Sequence, residues 1–175
     1  MIPLSFLFSF LKLLLILLVG ILVFTFLMPI FGLAPYVPTP KKKVKKMLEL
    51  AGLKPGEKLV DLGLGDGRIL IEAAKIGAEA VGYEIDPFLV WLSKKEIKKQ
   101  GLENKIKIYR KNFWQADLKE ADVVTFYGIT GIMAKMERKL LKELKPGARV
   151  CSYIFPFPKW MPINHDSGIF LYQKS

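Results

Sequence analysis

Asp61 heads the run Asp61-Leu62-Gly63-Leu64-Gly65-Asp66-Gly67-Arg68, in which an apolar segment, Lys58-Leu59-Val60-Asp61-Leu62, breaks into three glycines at alternate positions. In a doubly wound α/β sheet, a strand that runs through such a turn into a helix marks the carboxyl edge where nucleotide-like ligands lie. A dinucleotide fingerprint beginning at Gly63 requires glycine at 68, where the chain has Arg68. The loop also lacks the Lys-Ser/Thr pair that a triphosphate loop needs. An acid at its head suits instead a ligand with a positive ammonium group, and S-adenosylmethionine carries that ammonium, a sulfonium and no phosphate. Asp61, Gly63, Gly65, Asp66 and Gly67 are therefore candidate cofactor contacts.

Twenty-three residues beyond Asp61, Val81-Gly82-Tyr83-Glu84-Ile85-Asp86 sets an acid at the end of the next apolar segment. A carboxylate there can accept hydrogen bonds from both hydroxyls of a ribose. Glu84, with Ile85 beside it, joins the candidates. One strand further on, Arg110-Lys111-Asn112-Phe113 offers Asn112 as a hydrogen-bond partner for adenine and Phe113 as an apolar wall, although asparagine at a strand end is also a common turn former.

These residues need a scaffold that brings successive strand ends together, and the pattern supplies one. Strands are expected at 58–62, 80–84, 106–110, 123–127, 149–155 and 169–173, with helices at 68–75, 87–100 and 131–144. That alternation implies a Rossmann-like, mostly parallel sheet covered on both faces. An additional helix starts after Pro35-Tyr36-Val37-Pro38-Thr39-Pro40, with Thr39 as its cap and Pro40 in its first position. Its apolar face is Val44, Met47, Leu48 and Ala51. Leu53-Lys54-Pro55-Gly56 and Leu144-Lys145-Pro146-Gly147 use the same helix-to-strand turn twice.

The chain has 175 residues, one domain's worth. Residues 1–40 hold a single charged side chain, Lys12, whereas the remainder carries 26 Lys+Arg and 16 Asp+Glu, a formal +10. From Leu13 to Leu33 no residue is charged, and 21 such residues suffice for the roughly 30 Å hydrocarbon core. The expected organisation is a transmembrane anchor at 4–33, a linker at 34–40 and a soluble domain at 41–175. The cluster Lys41-Lys42-Lys43-Val44-Lys45-Lys46 follows the anchor, so the positive-inside rule puts the N-terminus outside and the domain in the cytoplasm, or in the matrix of a mitochondrion. Those lysines also suit anionic headgroups, so the basic charge requires no nucleic acid. One cysteine and one histidine exclude a disulfide framework and a Cys/His zinc cage. The domain is expected to act as a monomer without a metal.

With these motifs in place, the chain resembles the small seven-strand-type protein-lysine methyltransferases. The match runs in order through Pro35-Tyr36-Val37-Pro38-Thr39-Pro40, the glycine loop, Gly82-Tyr83-Glu84-Ile85, Asn112-Phe113, Ala121-Asp122-Val123-Val124-Thr125 and the segment Leu140 to Val150. That family includes the archaeal broad-specificity enzyme and membrane-anchored mitochondrial relatives that methylate the ATP synthase c subunit and the ADP/ATP carrier. The resemblance implies that Tyr36 and Thr39 fold over the methionine end of the cofactor, with Asp61, Gly63 and Gly65 beneath it. It further implies that Glu84 holds the ribose, that Asn112 and Phe113 meet the adenine, and that the acceptors are lysines of proteins. The chain departs from the pattern at Ile154, where an acid is expected, and its short tail after Trp160 suggests that one C-terminal strand is missing.

Tyr127 ends the fourth strand and is the candidate catalytic residue, lining an acceptor channel and orienting the amine. Its strand end, Thr125-Phe126-Tyr127-Gly128, lacks the Asn/Asp-Pro-Pro-aromatic sequence of enzymes that methylate nucleobase amines. Trp91 shares a helical face with Phe88 and Leu92 and is expected in the core, Cys151 is expected to be buried in the fifth strand, and His165 is expected in a polar turn. Two rival functions remain open: methylation of a membrane lipid or quinone-like molecule, and a non-catalytic cofactor-binding assembly protein.

Overall fold

The computed structural model describes residues 3–27 and 36–175, which divide into a unit at 1–37 and a unit at 38–175. The first holds one helix, α1 (Leu4–Leu27). Its 24 residues reach about 36 Å at a rise of 1.5 Å each, more than the hydrocarbon core requires. By length and composition, Ser5–Val23 can cross a membrane, a test that a signal sequence near an N-terminus also passes. Lys12 falls inside that stretch. The end of the expected anchor at 28–33 and the start of the linker lie outside the described residues.

The second unit begins with α2 (Lys41–Leu50), followed by β1 (Lys58–Leu62), α3 (Arg68–Ile76), β2 (Glu79–Glu84), α4 (Pro87–Lys99) and β3 (Ile106–Arg110). Next come a 3-10 turn at Phe113–Gln115, β4 (Val123–Phe126), α5 (Thr130–Glu143), β5 (Arg149–Tyr153), β6 (Asn164–Asp166) and β7 (Ile169–Gln173). The strands form one sheet in the order β3-β2-β1-β4-β5-β7-β6. The first five are parallel, and β7 runs antiparallel to both β5 and β6. No strand is missing from the C-terminal end: the expected loss is corrected by β6, three residues long and too short to show an alternating pattern. His165 belongs to this strand rather than to a turn, and its ring stacks on Phe170 at 4.3 Å.

Alternation along each strand divides the core into two layers. Leu59, Ala80, Val123, Cys151 and Leu171 face α2, α3 and α4. Val60, Leu62, Val81, Val124, Val150 and Tyr172 face the other way, towards α5 and the loop aromatics. The expected face of α2 is buried at Val44, Met47, Leu48 and Ala51. Its start is displaced by one residue from expectation: Pro40 is the N-cap, with no side-chain cap bond, and its carbonyl accepts from Lys43 N–H at 2.8 Å. Thr39 therefore does not cap.

Two further expectations are corrected. Phe88 and Trp91 are not core residues; they are 63% and 55% exposed on α4, which buries Leu89, Val90, Ser93 and Ile97 instead. The fifth strand stops at Tyr153 because Ile154 takes φ 68, and its N–H donates to the Gly168 carbonyl at 2.8 Å. The repeated turn holds in both places, with Gly56 at φ 80 and Gly147 at φ 82.

Gly82, inside β2, is required by space. A Cβ there would lie 2.6 Å from both Leu64 Cδ2 and Leu70 Cδ1, and Leu70 is fully buried. Gly82→Ala is expected to lower unfolding free energy by about 1–3 kcal/mol in a urea titration through overpacking. Gly131→Ala, where a Cβ meets open space inside α5, is expected to gain up to about 1 kcal/mol in the same titration.

Candidate functional site

The parallel register aligns the residues of interest along one edge. Asp61 on β1 pairs with Gly82 on β2 and with Thr125 on β4, and Glu84 ends β2 opposite Arg110 on β3. In an open sheet of parallel strands, ligands bind in the crevice beyond the carboxyl ends, where the chain turns out of the sheet.

Asp61 is 3% exposed. The Thr125 hydroxyl donates to its Oδ1 at 2.7 Å. Burial pushes the carboxyl up to about 7, the Thr125 hydrogen bond opposes the rise, and the Glu84 and Asp66 carboxylates add to it. A positive group placed beside this carboxyl would favour its ionised form.

The glycine loop wraps around this acid. Gly63 and Gly65 lie at φ 91 and φ 57, in the left-handed region that other residues rarely enter. The Gly63 and Leu64 N–H groups donate to the Tyr83 carbonyl at 2.9 and 3.1 Å, tying the loop to the end of β2. Glu84 completes the tie: Oε2 accepts from Gly65 N–H at 3.1 Å, and Oε1 accepts from Ile85 and Asp86 N–H at 2.8 and 3.0 Å. These bonds fix the carboxylate in one orientation at the strand end. Asp86 then caps α4, its Oδ1 accepting from Phe88 N–H at 2.7 Å.

Asp66 faces a different partner. The Arg68 guanidinium grips its carboxylate, at 2.9 Å from Nε to Oδ1 and 2.6 Å from Nη2 to Oδ2, and also donates to the Thr39 carbonyl at 2.8 Å. Asp66 thus works through Arg68 to fasten the buried Thr39 to the loop. Tyr36 belongs to the unit at 1–37, where it is half exposed. Asn112 uses Oδ1 to accept from Trp114 N–H at 3.0 Å, capping the 3-10 turn, so its side-chain carbonyl takes the turn-forming role weighed for it. Phe113 packs edge-on against Phe126 at 5.8 Å.

Beyond the end of β4, Tyr127 packs edge-on against Tyr153 with ring centroids 5.0 Å apart. Burial raises the Tyr127 hydroxyl above its ordinary value, with a smaller contribution from Tyr153. Trp160 is stacked on Phe157 at 5.8 Å and is partly buried against the second core layer. Among the described residues, no three His, Cys, Asp or Glu side chains cluster in a way that could hold a metal ion.

The sequence pattern alone did not single out Thr125 and Tyr153 as parts of this edge, and it marked Arg68 only as the residue that spoils a dinucleotide motif. A signal for Thr125 was present: it is a polar residue inside an apolar strand, as Asp61 is, and adjacent parallel strands place two such residues side by side. Tyr153 had no comparable signal, because its position depends on where β5 ends.

A family model described as the ANTKMT methyltransferase domain matches residues 61–164. The chain is 40% identical over 134 residues to the lysine N-methyltransferase of Rattus norvegicus that is named for the ATP synthase c subunit, covering 77% of this chain and 61% of the relative. It is 43% identical over 130 residues to the protein-lysine N-methyltransferase of Saccharolobus islandicus, covering 73% of this chain and 81% of that one. The chain spans 53% to 61% of the length of the vertebrate ATP synthase methyltransferases that it matches. Among solved structures, it resembles an RNA methyltransferase from Salinibacter ruber in complex with S-adenosyl-L-homocysteine, with 40% identity, a TM-score of 0.75, and coverage of 79% of this chain and 92% of that one.

The raised Asp61 carboxyl has a consequence for stability. The folded chain keeps this proton between about pH 4 and about pH 7, where an unfolded aspartate has lost it. The group therefore favours the folded state below that window, and this contribution is lost as pH rises through it. Asp61→Asn, which retains an oxygen for Thr125, is expected to be more stable than the wild type at pH 8 by on the order of a few kcal/mol. The difference is expected to shrink towards pH 4, as measured by denaturant midpoints at each pH. A variant less stable than the wild type at pH 8 would contradict the assignment.

Proposed function

Because the chain belongs to the ANTKMT methyltransferase domain family, we propose that it transfers methyl groups from S-adenosylmethionine to lysine side chains of proteins, working from a membrane to which its N-terminal helix holds it. The observation that carries this reading is the pairing of Asp61 and Glu84 at adjacent strand ends around one glycine loop. The donor set fits the cofactor. Asp66 is occupied by Arg68, which leaves Asp61 for an ammonium group and the oriented Glu84 carboxylate for a ribose diol.

When bound, S-adenosylmethionine supplies a methyl group already activated by its sulfonium. The chain's own task is positioning: Asp61 and Glu84 would hold the cofactor, and Tyr127 would line the approach of the acceptor. A lysine has an ordinary pKa of about 10.4, so at neutral pH only roughly one amine in a few thousand is neutral. An apolar, partly buried surround favours the neutral amine. Tyr127, packed against Tyr153, is the residue we assign to this surround, with its hydroxyl orienting the amine.

The membrane part of the reading rests on α1, on the lysine cluster at 41–46 and on the names of the relatives. A helix holding the domain at a bilayer raises the local concentration of membrane-protein lysines. The N-terminus would lie outside and the domain in the cytoplasm or matrix. A lipid acceptor, or the RNA named for the Salinibacter ruber protein, would use the same cofactor edge, and product analysis separates these acceptors.

The test is incubation of the full chain in membranes with methyl-labelled S-adenosylmethionine, followed by hydrolysis. Label is expected in methyl-lysine and is expected to be lost with Glu84→Ala; label in extracted lipid or in nucleosides would overturn the substrate class. Tyr127→Phe is expected to lower turnover by about tenfold to a hundredfold with cofactor affinity unchanged. Removal of residues 1–34 is expected to reduce methylation of membrane proteins far more than of soluble peptides, and equal losses on both would contradict the tether.

A further inference from the structure

The exposed side of α4 has no role in the chemistry above, and its composition is unlike that of an ordinary solvated helix. Phe88 and Trp91 stand out from it with ring centroids 5.8 Å apart, and Ile85, 48% exposed, precedes them. Lys95 lies over the Trp91 ring at 5.3 Å. Lys94, Lys98 and Lys99 are also exposed, and none of these four lysines enters an ion pair among the described residues. An exposed Phe–Trp pair costs solvation without contributing to the core, which α4 reaches through its opposite face.

Resting on the reading that α1 holds the chain at a bilayer, we propose that this face of α4 is a second membrane contact, seating Phe88 and Trp91 at the headgroup level of a lipid surface with anionic headgroups. The chemistry on the helix is that of an interfacial element. An indole ring partitions to the boundary between headgroups and acyl chains, a phenyl ring beside it enters the apolar side of that boundary, and a basic flank is drawn to anionic lipid. The arrangement is sequential: the aromatic residues occupy the N-terminal half of α4 and the lysines the C-terminal half. A protein partner recognised through this face would need its own acidic groups opposite four unpaired lysines, whereas an anionic bilayer offers both an apolar layer and negative charge in one surface. The contact also has a use. Asp86 caps α4 two residues after Glu84, so a helix lying on the bilayer would hold the cofactor edge at a fixed height above it.

The test is amine-reactive footprinting of the full chain, read lysine by lysine by mass spectrometry, in detergent, in phosphatidylcholine vesicles and in vesicles containing phosphatidylserine. Labelling of Lys94, Lys95 and Lys98 is expected to fall by about fivefold on the phosphatidylserine vesicles relative to detergent. Labelling of Lys119 and Lys142, outside α4, is expected to hold. The double variant F88S/W91S changes only exposed side chains and should melt as the wild type does; it is expected to regain the detergent level of labelling on phosphatidylserine vesicles. Equal labelling of the α4 lysines under all three conditions, in a chain that still floats with vesicles, overturns the α4 contact and leaves the anchor standing. A chain that does not float overturns both. Protection that arises only when a protein substrate is added, and not from lipid, assigns the face to that substrate and overturns the proposal.

Discussion

A carboxyl buried at the end of the central strand is the constraint around which this domain is built. Asp61 lies where β1 leaves the sheet, its neighbours on both sides are strands, and its hydrogen bond comes from Thr125 on β4. Burying such a group costs stability unless something compensates it. Here the folded chain compensates by holding the proton, with the carboxyl near 7 rather than near 4. That solution leaves the ionised form available to a ligand that brings its own positive charge. The strand pairing cannot loosen around it, because Gly82 lets Leu64 and Leu70 close against β2 at a distance that admits no Cβ.

The rest of the edge follows from that closure. With β1 and β2 held together, the glycine loop ties back to Tyr83, and the Glu84 carboxylate satisfies three N–H groups that the turn would otherwise leave unpaired. Arg68 joins Asp66 to the Thr39 carbonyl, so the segment before α2 is fastened to the same loop. Three helices cover one face of the sheet, while α5 is the one α-helix on the other among the described residues, where Phe113, Trp114, Phe157 and Trp160 complete the layer. Tyr153 packs against the layer of the three helices, and Tyr127 meets it edge-on beyond the end of β4.

Much of this was legible in the residues because local rules and the global fold agree. The glycine loop, the acid at 84 and the alternation of strands and helices each have a short-range signature, and the Lys-Pro-Gly turns repeat with the same backbone conformation. The structure departs from the sequence pattern where the decisive contact is distant. Phe88 and Trp91 satisfy a helical spacing, but which face of α4 turns inward is decided by Leu89, Val90 and Ile97 meeting the rest of the domain. Strand β6 is three residues long and exists through pairing with β7. Asn112 shows a limit of another kind: an asparagine at a strand end suits a ligand and a turn equally well, and the Trp114 N–H that donates to its Oδ1 establishes the turn role without bearing on the other.

Asp61, mostly protonated at pH 6 and half protonated at pH 7, is expected to give up its proton when the ammonium group of S-adenosylmethionine arrives. Calorimetric titration of the full chain with this cofactor, in buffers of different ionisation enthalpy, measures the proton directly. Release of close to one proton per bound cofactor is expected at about pH 6, falling to about half at pH 7. Binding at pH 6 with no proton released would contradict it, because Asp61 would then be ionised before the ligand arrives or would play no part in holding it.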